Sequence, residues 1–179
     1  PVLSWQFACC ARQVIAVKNP QDLLPTLHKK HRKGIGFPVY LLGDAVCSET
    51  VATEYAARCF YLLEVLAAQT RGWRDPLGKN ADLFPVVNVS VKISALYSQM
   101  NPADPADAIS HLAPKLRPLL RRAREPGAFI NFDLESYAHK NTTPELFKTL
   151  FQEPEFRDWP HPGFGLQASL TAAATDQQS

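Results

Sequence analysis

The chain has 179 residues, of which 46% are hydrophobic and 20% charged, a composition typical of a folded domain with one core. Its formal net charge is +2, so a role that neutralises many phosphates, such as coating nucleic acid, is not expected. The longest apolar runs fall short of the ~18 residues that span a bilayer, and the N-terminus lacks the basic and apolar regions of a signal peptide.

The cysteines indicate neither a disulfide framework nor a metal site. The four cysteines lie at positions 9, 10, 47 and 59 and never form a C-x-x-C spacing. Reduced thiols in a cytoplasmic protein are therefore expected. Adjacent Cys9 and Cys10 lack a histidine or a second cysteine pair at zinc-finger spacing, so no metal is predicted.

Four helices are predicted in chain order. Their starts are marked by a capping residue or a proline: Asn19-Pro20, Ser48, Asp104-Pro105 and Thr142. The first ends at Gly34 after a basic turn, and in the fourth, TTPELFKTLF, Thr142 and Glu145 match a capping box. The second has apolar residues at spacings of three and four: Val51, Tyr55, Cys59, Leu62, Leu63 and Leu66. Three interior prolines are expected to bend or break the first and third helices: Pro25, Pro114 and Pro118.

Short runs rich in β-forming residues separate these helices. They are FPVYLL (37–42), VVNVSVKI (86–93), FINFDL (129–134) and FGLQASL (164–170). The order is therefore αβαβαβαβ. This alternation predicts an α/β fold with parallel crossovers, in which helices cover at least one face of the sheet.

Polar and apolar residues alternate along the last three of these strands. The polar positions are Asn88, Ser90, Lys92 and Ser94, then Asn131, Asp133 and Glu135, then Gly165, Gln167 and Ser169. In a closed barrel the polar side faces the interior, where polar groups must be paired or used. Lys92, Asp133 and Gln167 fall towards the carboxyl ends of their strands, where (β/α) barrels build active sites. The alternative is an open or antiparallel sheet whose polar face is wet.

Four strands cannot close an eight-stranded barrel, which usually needs ~250 residues. The sequence therefore predicts at most half of a TIM-type barrel. Its expected divisions are an N-terminal helical segment (1–34), the half-barrel (35–170) and a disordered tail (171–179). The chain begins at Pro1 rather than Met, which suggests that it is processed, excised or part of a longer protein.

The other charged features are weaker signals. The basic run 28–33 could contact nucleic acid or an anionic membrane, but a basic last turn also complements the helix dipole. His111, His139 and His161 lack metal-ligand spacing. The glycines at 34 and 36 precede a strand instead of following one, so they are not a dinucleotide-binding fingerprint.

Four stretches resemble the proline dehydrogenase domain of the bifunctional proline-utilisation flavoenzymes, in which that domain is fused to a glutamate-semialdehyde dehydrogenase. They are GFPVYLLGDAVCSE, NVSVKISALYSQ, GAFINFDLESYAHKNTTPELFKTLFQEPEFRDW and GFGLQASL. With the preceding LLPTLHKKHRKG helix, the resemblance covers about residues 12–170. It implies a distorted (βα)8 barrel that binds FAD, of which this chain would supply strands one to four.

The resemblance also implies an activity and roles for the candidate residues. The family oxidises L-proline to 1-pyrroline-5-carboxylate, passes electrons to a quinone or another acceptor, and has bacterial members in peripheral membrane contact. Lys92 matches the lysine that helps to hold the substrate carboxylate. Asp133 matches a carboxylate that organises the charged cluster beside the substrate, and Gln167 matches a glutamine that hydrogen-bonds the flavin.

The sequence departs from the family pattern near these positions. Tyr40 stands where the family usually has aspartate, Asp44 replaces glutamate, and Ser169 replaces the tyrosine of a QAY motif. The family's fifth strand and the paired arginines of its last helix have no counterpart before Ser179. We therefore expect this chain by itself to be an inactive fragment, with its last strand at an open edge that favours self-association.

Two other functions remain open from the residues alone. Lys92 could act as an amine nucleophile that forms a Schiff base in a barrel, with Asp133 adjusting its proton affinity. Alternatively, the half-barrel could be a non-catalytic remnant or a partner module.

Overall fold

The computed structural model describes residues 19–41, 46–73, 85–133 and 136–165. Four α-helices lie among them: α1 (Leu24–His31), α2 (Glu49–Thr70), α3 (Pro105–Arg124) and α4 (Thr142–Phe151). Four strands alternate with them: β1 (Val39–Tyr40), β2 (Asn88–Lys92), β3 (Phe129–Asp133) and β4 (Pro162–Phe164). Short 3-10 helices cover Pro20–Leu23, Ile93–Ala95 and Tyr137–His139. The predicted order of helices and strands is confirmed.

The strands form one parallel sheet in the order β1-β2-β3-β4. Consecutive strands are therefore neighbours, and a helix crosses between each pair of them, as the alternating sequence predicted. The antiparallel alternative is excluded. In the register of the sheet, Ser90 is the Cα partner of both Tyr40 and Asn131, and Lys92 is the partner of Asp133.

The apolar sides of the strands form the core with the helices. In β2 and β3 the buried apolar residues are Val89, Val91, Ile130 and Phe132, in the alternation that the sequence predicted, and Ser90 on the polar side of β2 is buried as well. The helices cover this face with leucines, among them Leu62, Leu66, Leu112, Leu116 and Leu146. Val51 does not belong to this set, because its side chain is 37% exposed at the start of α2.

Side-chain caps fix the starts of two long helices at the predicted residues. The Ser48 hydroxyl accepts the N–H of Val51 at 3.3 Å, and an Asp104 oxygen accepts the N–H of Asp107 at 3.1 Å. Each bond satisfies a donor that the first turn of a helix leaves free.

The capping box predicted at the start of α4 is wrong. The capping position is Asn141, its side chain makes no capping hydrogen bond, and Thr142 is already helical and buried. The chain enters α4 from a 3-10 turn with Asn141 in the right-handed helical region, where its side chain cannot reach back as a residue with extended backbone can.

Among the prolines expected to bend or break helices, Pro25 lies where the first predicted helix divides into the 3-10 helix Pro20–Leu23 and α1, whereas the breaks predicted at Pro114 and Pro118 are wrong. Pro25 lies in the first turn of α1, where its missing N–H removes no helical bond. Pro114 and Pro118 lie inside α3, which continues through both. These two prolines are four residues apart on the exposed side, so water can reach the carbonyl groups that lose a helical partner.

Candidate functional site

The polar sides of the strands bring the candidate site residues together at the carboxyl end of the sheet. Lys92 is the last residue of β2 and Asp133 the last residue of β3. They are Cα partners on parallel strands, so their side chains leave the same face, and neighbouring strands lie about 4.8 Å apart. Both residues are half-buried. A cation and a carboxylate therefore sit side by side, as the alternation of polar residues predicted.

Below this pair, a hydrogen-bonded network joins the two strands. The Asn131 side-chain amide donates to the Asp133 Oδ1 at 2.8 Å and to the Ser90 Oγ at 3.2 Å. Ser90 is only 2% exposed, so its hydroxyl needs a protein partner. The network holds one oxygen of the carboxylate from within the sheet.

A tyrosine from α2 holds the backbone of Lys92. The Lys92 N–H donates to the Tyr55 Oη at 3.0 Å, at the point where β1 no longer pairs with β2. Tyr55 is 4% exposed, and burial raises the pKa of its hydroxyl, which therefore stays neutral. Burial also raises the pKa of the neighbouring Cys59 thiol to about 12, so that side chain is uncharged as well.

The loop that follows β2 is tied to two helices. One Glu49 oxygen accepts the N–H and the hydroxyl of Ser98, at 2.8 and 2.7 Å. The other Glu49 oxygen accepts from the Lys115 ammonium at 2.6 Å, which also donates to the Leu96 carbonyl at 2.7 Å. The hydrogen bond from Lys115, followed by those from Ser98, lowers the pKa of Glu49 to about 2. Tyr55 thus holds the backbone of Lys92, and Glu49 and Lys115 hold the loop that follows it.

The outer strands contribute differently to this face. Tyr40 lies beside Ser90 in the sheet register, and its side chain is 47% exposed, where the family resemblance implied an aspartate. On the other side Gly163 is the partner of Asn131, and a Cβ added there would lie 2.8 Å from the Phe129 Cζ. The Phe129 ring therefore occupies the space that a side chain at 163 would need.

Several residues singled out from the sequence lie outside the described residues: Cys9, Cys10, Asp44, Glu135, Gln167 and Ser169. The predicted tail 171–179 lies outside them as well. The flavin contact of Gln167 accordingly stays a prediction, and the roles of Lys92 and Asp133 also remain to be tested. Among the described residues of this face, Lys92 is the cation that suits an anionic group, because both hydrogens of the Asn131 amide are donated to Asp133 and Ser90.

Sequence reasoning missed two residues of this region. Asn131 lies on the predicted polar side of β3, but only the strand register shows that it reaches Ser90. Tyr55 occupies an apolar position of α2, and its hydroxyl, a polar atom in an apolar stripe, was the available signal.

Two of the histidines noted in the sequence have defined surroundings. His111 stacks on Tyr97 with ring centroids 4.5 Å apart, and burial lowers the pKa of His139. Within the described residues no three histidine, cysteine or acidic side chains are grouped as metal ligands would be. Within the same ranges, the helices are too short or too polar to cross a membrane.

The comparisons with known proteins agree on one family. Residues 23–179 match the family model for proline dehydrogenase. The bifunctional protein PutA of Klebsiella aerogenes and that of Escherichia coli K12 are each 24% identical to the chain over 156 residues, which cover 87% of this chain and 11% of the relatives.

Solved structures give the same result. Proline utilization A (PutA) from Bdellovibrio bacteriovorus, inactivated by N-propargylglycine, superposes with a TM-score of 0.89 and 33% identity over 99% of this chain and 19% of that one. PutA from Corynebacterium freiburgense gives 0.75 and 30%, over 96% and 16%. The chain thus spans less than a fifth of these relatives, and its four βα units form part of a TIM-type barrel. The chain belongs to the proline dehydrogenase family of oxidoreductases.

Proposed function

We propose that this chain forms the first half of the barrel of an FAD-dependent L-proline dehydrogenase, which oxidises proline to 1-pyrroline-5-carboxylate on the way to glutamate. The observation that carries the proposal is the position of Lys92 beside Asp133, at the carboxyl end of the sheet in a chain of this family. Active sites of (β/α) barrels lie at that end.

The chemistry of the substrate fits this pair. Proline carries a carboxylate, for which Lys92 offers a cation, and Asp133 keeps that cation from lying unpaired when the site is empty. The oxidation removes a hydride from the ring carbon that adjoins nitrogen and does not carry the carboxylate. It also removes a proton from nitrogen, which leaves a double bond between that carbon and nitrogen. FAD, when bound, takes up the hydride, and a quinone or another acceptor must reoxidise it.

Two further contacts belong to the same proposal. The basic run 28–33 ends α1 and lines a surface groove with Lys29, Arg32 and Lys33, which suits peripheral contact with an anionic membrane in a cytoplasmic enzyme. The outer edge of β4 would remain open in a chain limited to these four strands, and such an edge favours self-association.

We further propose that residues 1–179 by themselves neither hold FAD tightly nor oxidise proline. The basis is the four-stranded sheet, because half a barrel offers only part of the wall that excludes water from a reacting amine. A recombinant 179-residue chain that is yellow and turns over proline would contradict this part of the proposal.

The main experiment uses the full-length protein that contains this chain. Visible absorbance detects the flavin, and proline-dependent reduction of a dye measures the activity. We expect Lys92→Met to raise KM for proline by tenfold or more, because a charge-assisted hydrogen bond contributes about 1.5–3 kcal/mol. Lys148→Met, a change on the exposed surface of α4, is the matched control. Equal KM values for the two variants would refute the role of Lys92.

The Schiff-base alternative is tested in the same preparation. It needs a carbonyl substrate, whereas the proline of the proposed reaction carries a secondary amine and a carboxylate. Borohydride should therefore trap no carbonyl compound on Lys92. A covalent adduct at that residue, found by mass spectrometry, would support the Schiff-base mechanism instead.

A further inference from the structure

We propose that Asn131 is a positioning residue, which orients the Asp133 carboxylate so that one oxygen stays directed to the Lys92 side of the site. The effect on proline binding rests on the proposed function, whereas the orientation itself does not. Asn131 is not one of the residues that the family resemblance marked.

The geometry assigns both hydrogens of the Asn131 amide. One is donated to the Asp133 Oδ1 at 2.8 Å and the other to the Ser90 Oγ at 3.2 Å. A carboxylate can only accept hydrogen bonds, so the nitrogen of the amide, and not its oxygen, must face Asp133. Ser90 lies on β2 and Asn131 on β3, so the amide is held by both strands.

This arrangement restricts the rotation of the Asp133 carboxylate. The terminal torsion of an aspartate is broad, and a carboxylate at the end of a strand can rotate with little cost. Asn131 lies two residues earlier on the same side of β3 and holds Oδ1 from within the sheet. The second oxygen is therefore left for the groups at the carboxyl end, where Lys92 is the neighbour in the register.

A second asparagine, Asn88, lies on this face of the sheet without contacting the Asp133 carboxylate. It lies two residues before Ser90 on the same side of β2, and its buried Oδ1 has no hydrogen-bond partner among the described residues. Asn88 thus matches Asn131 in residue type and face but makes no contact with the carboxylate. It is the natural control.

The first experiment measures proline oxidation by the full-length protein and its variants. Asn131→Ala is expected to raise KM about tenfold and to change kcat by less than about threefold, because the lost hydrogen bond is to a charged group. In an Asp133→Ala background the same change should have no further effect on KM. Asn88→Ala should leave KM within about twofold of the wild type. Equal effects of Asn131→Ala in both backgrounds would overturn the proposal.

The second experiment does not depend on activity, so it separates this inference from the proposed function. Urea unfolding is measured for Asn131→Ala, Asp133→Ala and the double variant, which together form a double-mutant cycle. We expect the unfolding equilibrium constant of the double variant to be about tenfold smaller than the product of the two single effects predicts. A wild-type protein that does not oxidise proline would refute the proposed function and leave this result to stand. Additive effects on unfolding would refute the role of Asn131.

Should Asn131→Ala not accumulate as folded protein, Ser90→Ala replaces it in the first experiment. This change releases the amide from β2 and leaves its bond to the carboxylate in place. A rise in KM that is smaller than tenfold and disappears in the Asp133→Ala background supports the proposal. An unchanged KM would count against it.

Discussion

Replacing Tyr55 with phenylalanine removes a single oxygen from the position that holds the backbone of Lys92. The ring stays the same size, so the substitution leaves no large cavity in the core beside α2. The hydroxyl accepts the Lys92 N–H at 3.0 Å, and the side chain is 4% exposed, so no water can easily replace it. The variant therefore leaves a part-buried N–H without its acceptor.

The expected cost follows from that unmade bond. A buried donor that loses its partner costs about 1–3 kcal/mol. The hydroxyl also forms a hydrogen bond with the Cys59 thiol, which is a weak partner and adds little. For 150–250 residues that unfold as one unit, 1 kcal/mol corresponds to about 2–4 °C in Tm. Loss of one hydrogen bond of about 1.4 kcal/mol should also speed exchange of the Lys92 amide about tenfold, where local opening controls that exchange.

The assay is hydrogen exchange followed by mass spectrometry on a peptide that covers β2, together with thermal unfolding. Tyr61→Phe is the control, because Tyr61 lies on the same helix and is 47% exposed. We expect the Tyr55→Phe variant to exchange faster at Lys92 and to melt earlier, and the Tyr61→Phe variant to match the wild type. If both variants behaved alike, the hydroxyl of Tyr55 would not hold the end of β2.

Two further changes test the surroundings of the site. Gly163→Ala places a Cβ 2.8 Å from the Phe129 Cζ and should destabilise the protein by about 1–3 kcal/mol in urea unfolding, unlike Gly36→Ala, where nothing lies within 4 Å. The loss should shrink in a Phe129→Leu background. The pKa of Glu49 is lowered from 4.5 to about 2 by its hydrogen bonds, chiefly with Lys115, so its contribution to stability is complete above pH 4.5 and disappears as the pH falls towards 2. Glu49→Gln should therefore lose less stability than the wild type over that interval, and an identical acid profile would contradict the assignment.

Local patterns in the sequence predicted much of the fold. Ser48 and Asp104 cap the helices that they were expected to cap, because a cap depends on the few residues that follow it. The alternation in β2 and β3 predicted which side of each strand joins the apolar core, because successive side chains of a strand point to opposite faces. That same alternation placed Lys92 and Asp133 on one face.

The failures occurred where the outcome depends on residues beyond the local pattern. Thr142 and Glu145 fit a capping box, yet the chain reaches α4 from a 3-10 turn that begins the helix at a different residue. Pro114 and Pro118 do not break α3, because packing of its apolar side outweighs the cost of two exposed prolines. Helix propensity is a weak guide where tertiary contacts stabilise the helix.

The contacts that hold the candidate site differ greatly in how far they reach along the chain, and this explains which of them the sequence could reveal. Asn131 contacts Asp133 two residues away, within one strand, whereas Tyr55 reaches Lys92 across 37 residues and Glu49 reaches Lys115 across 66. The longer contacts exist only once α2, β2 and α3 have packed together. The placement of Lys92 therefore depends on the helices behind the sheet, and changes in α2 that touch no ligand should still alter how the site binds an anion.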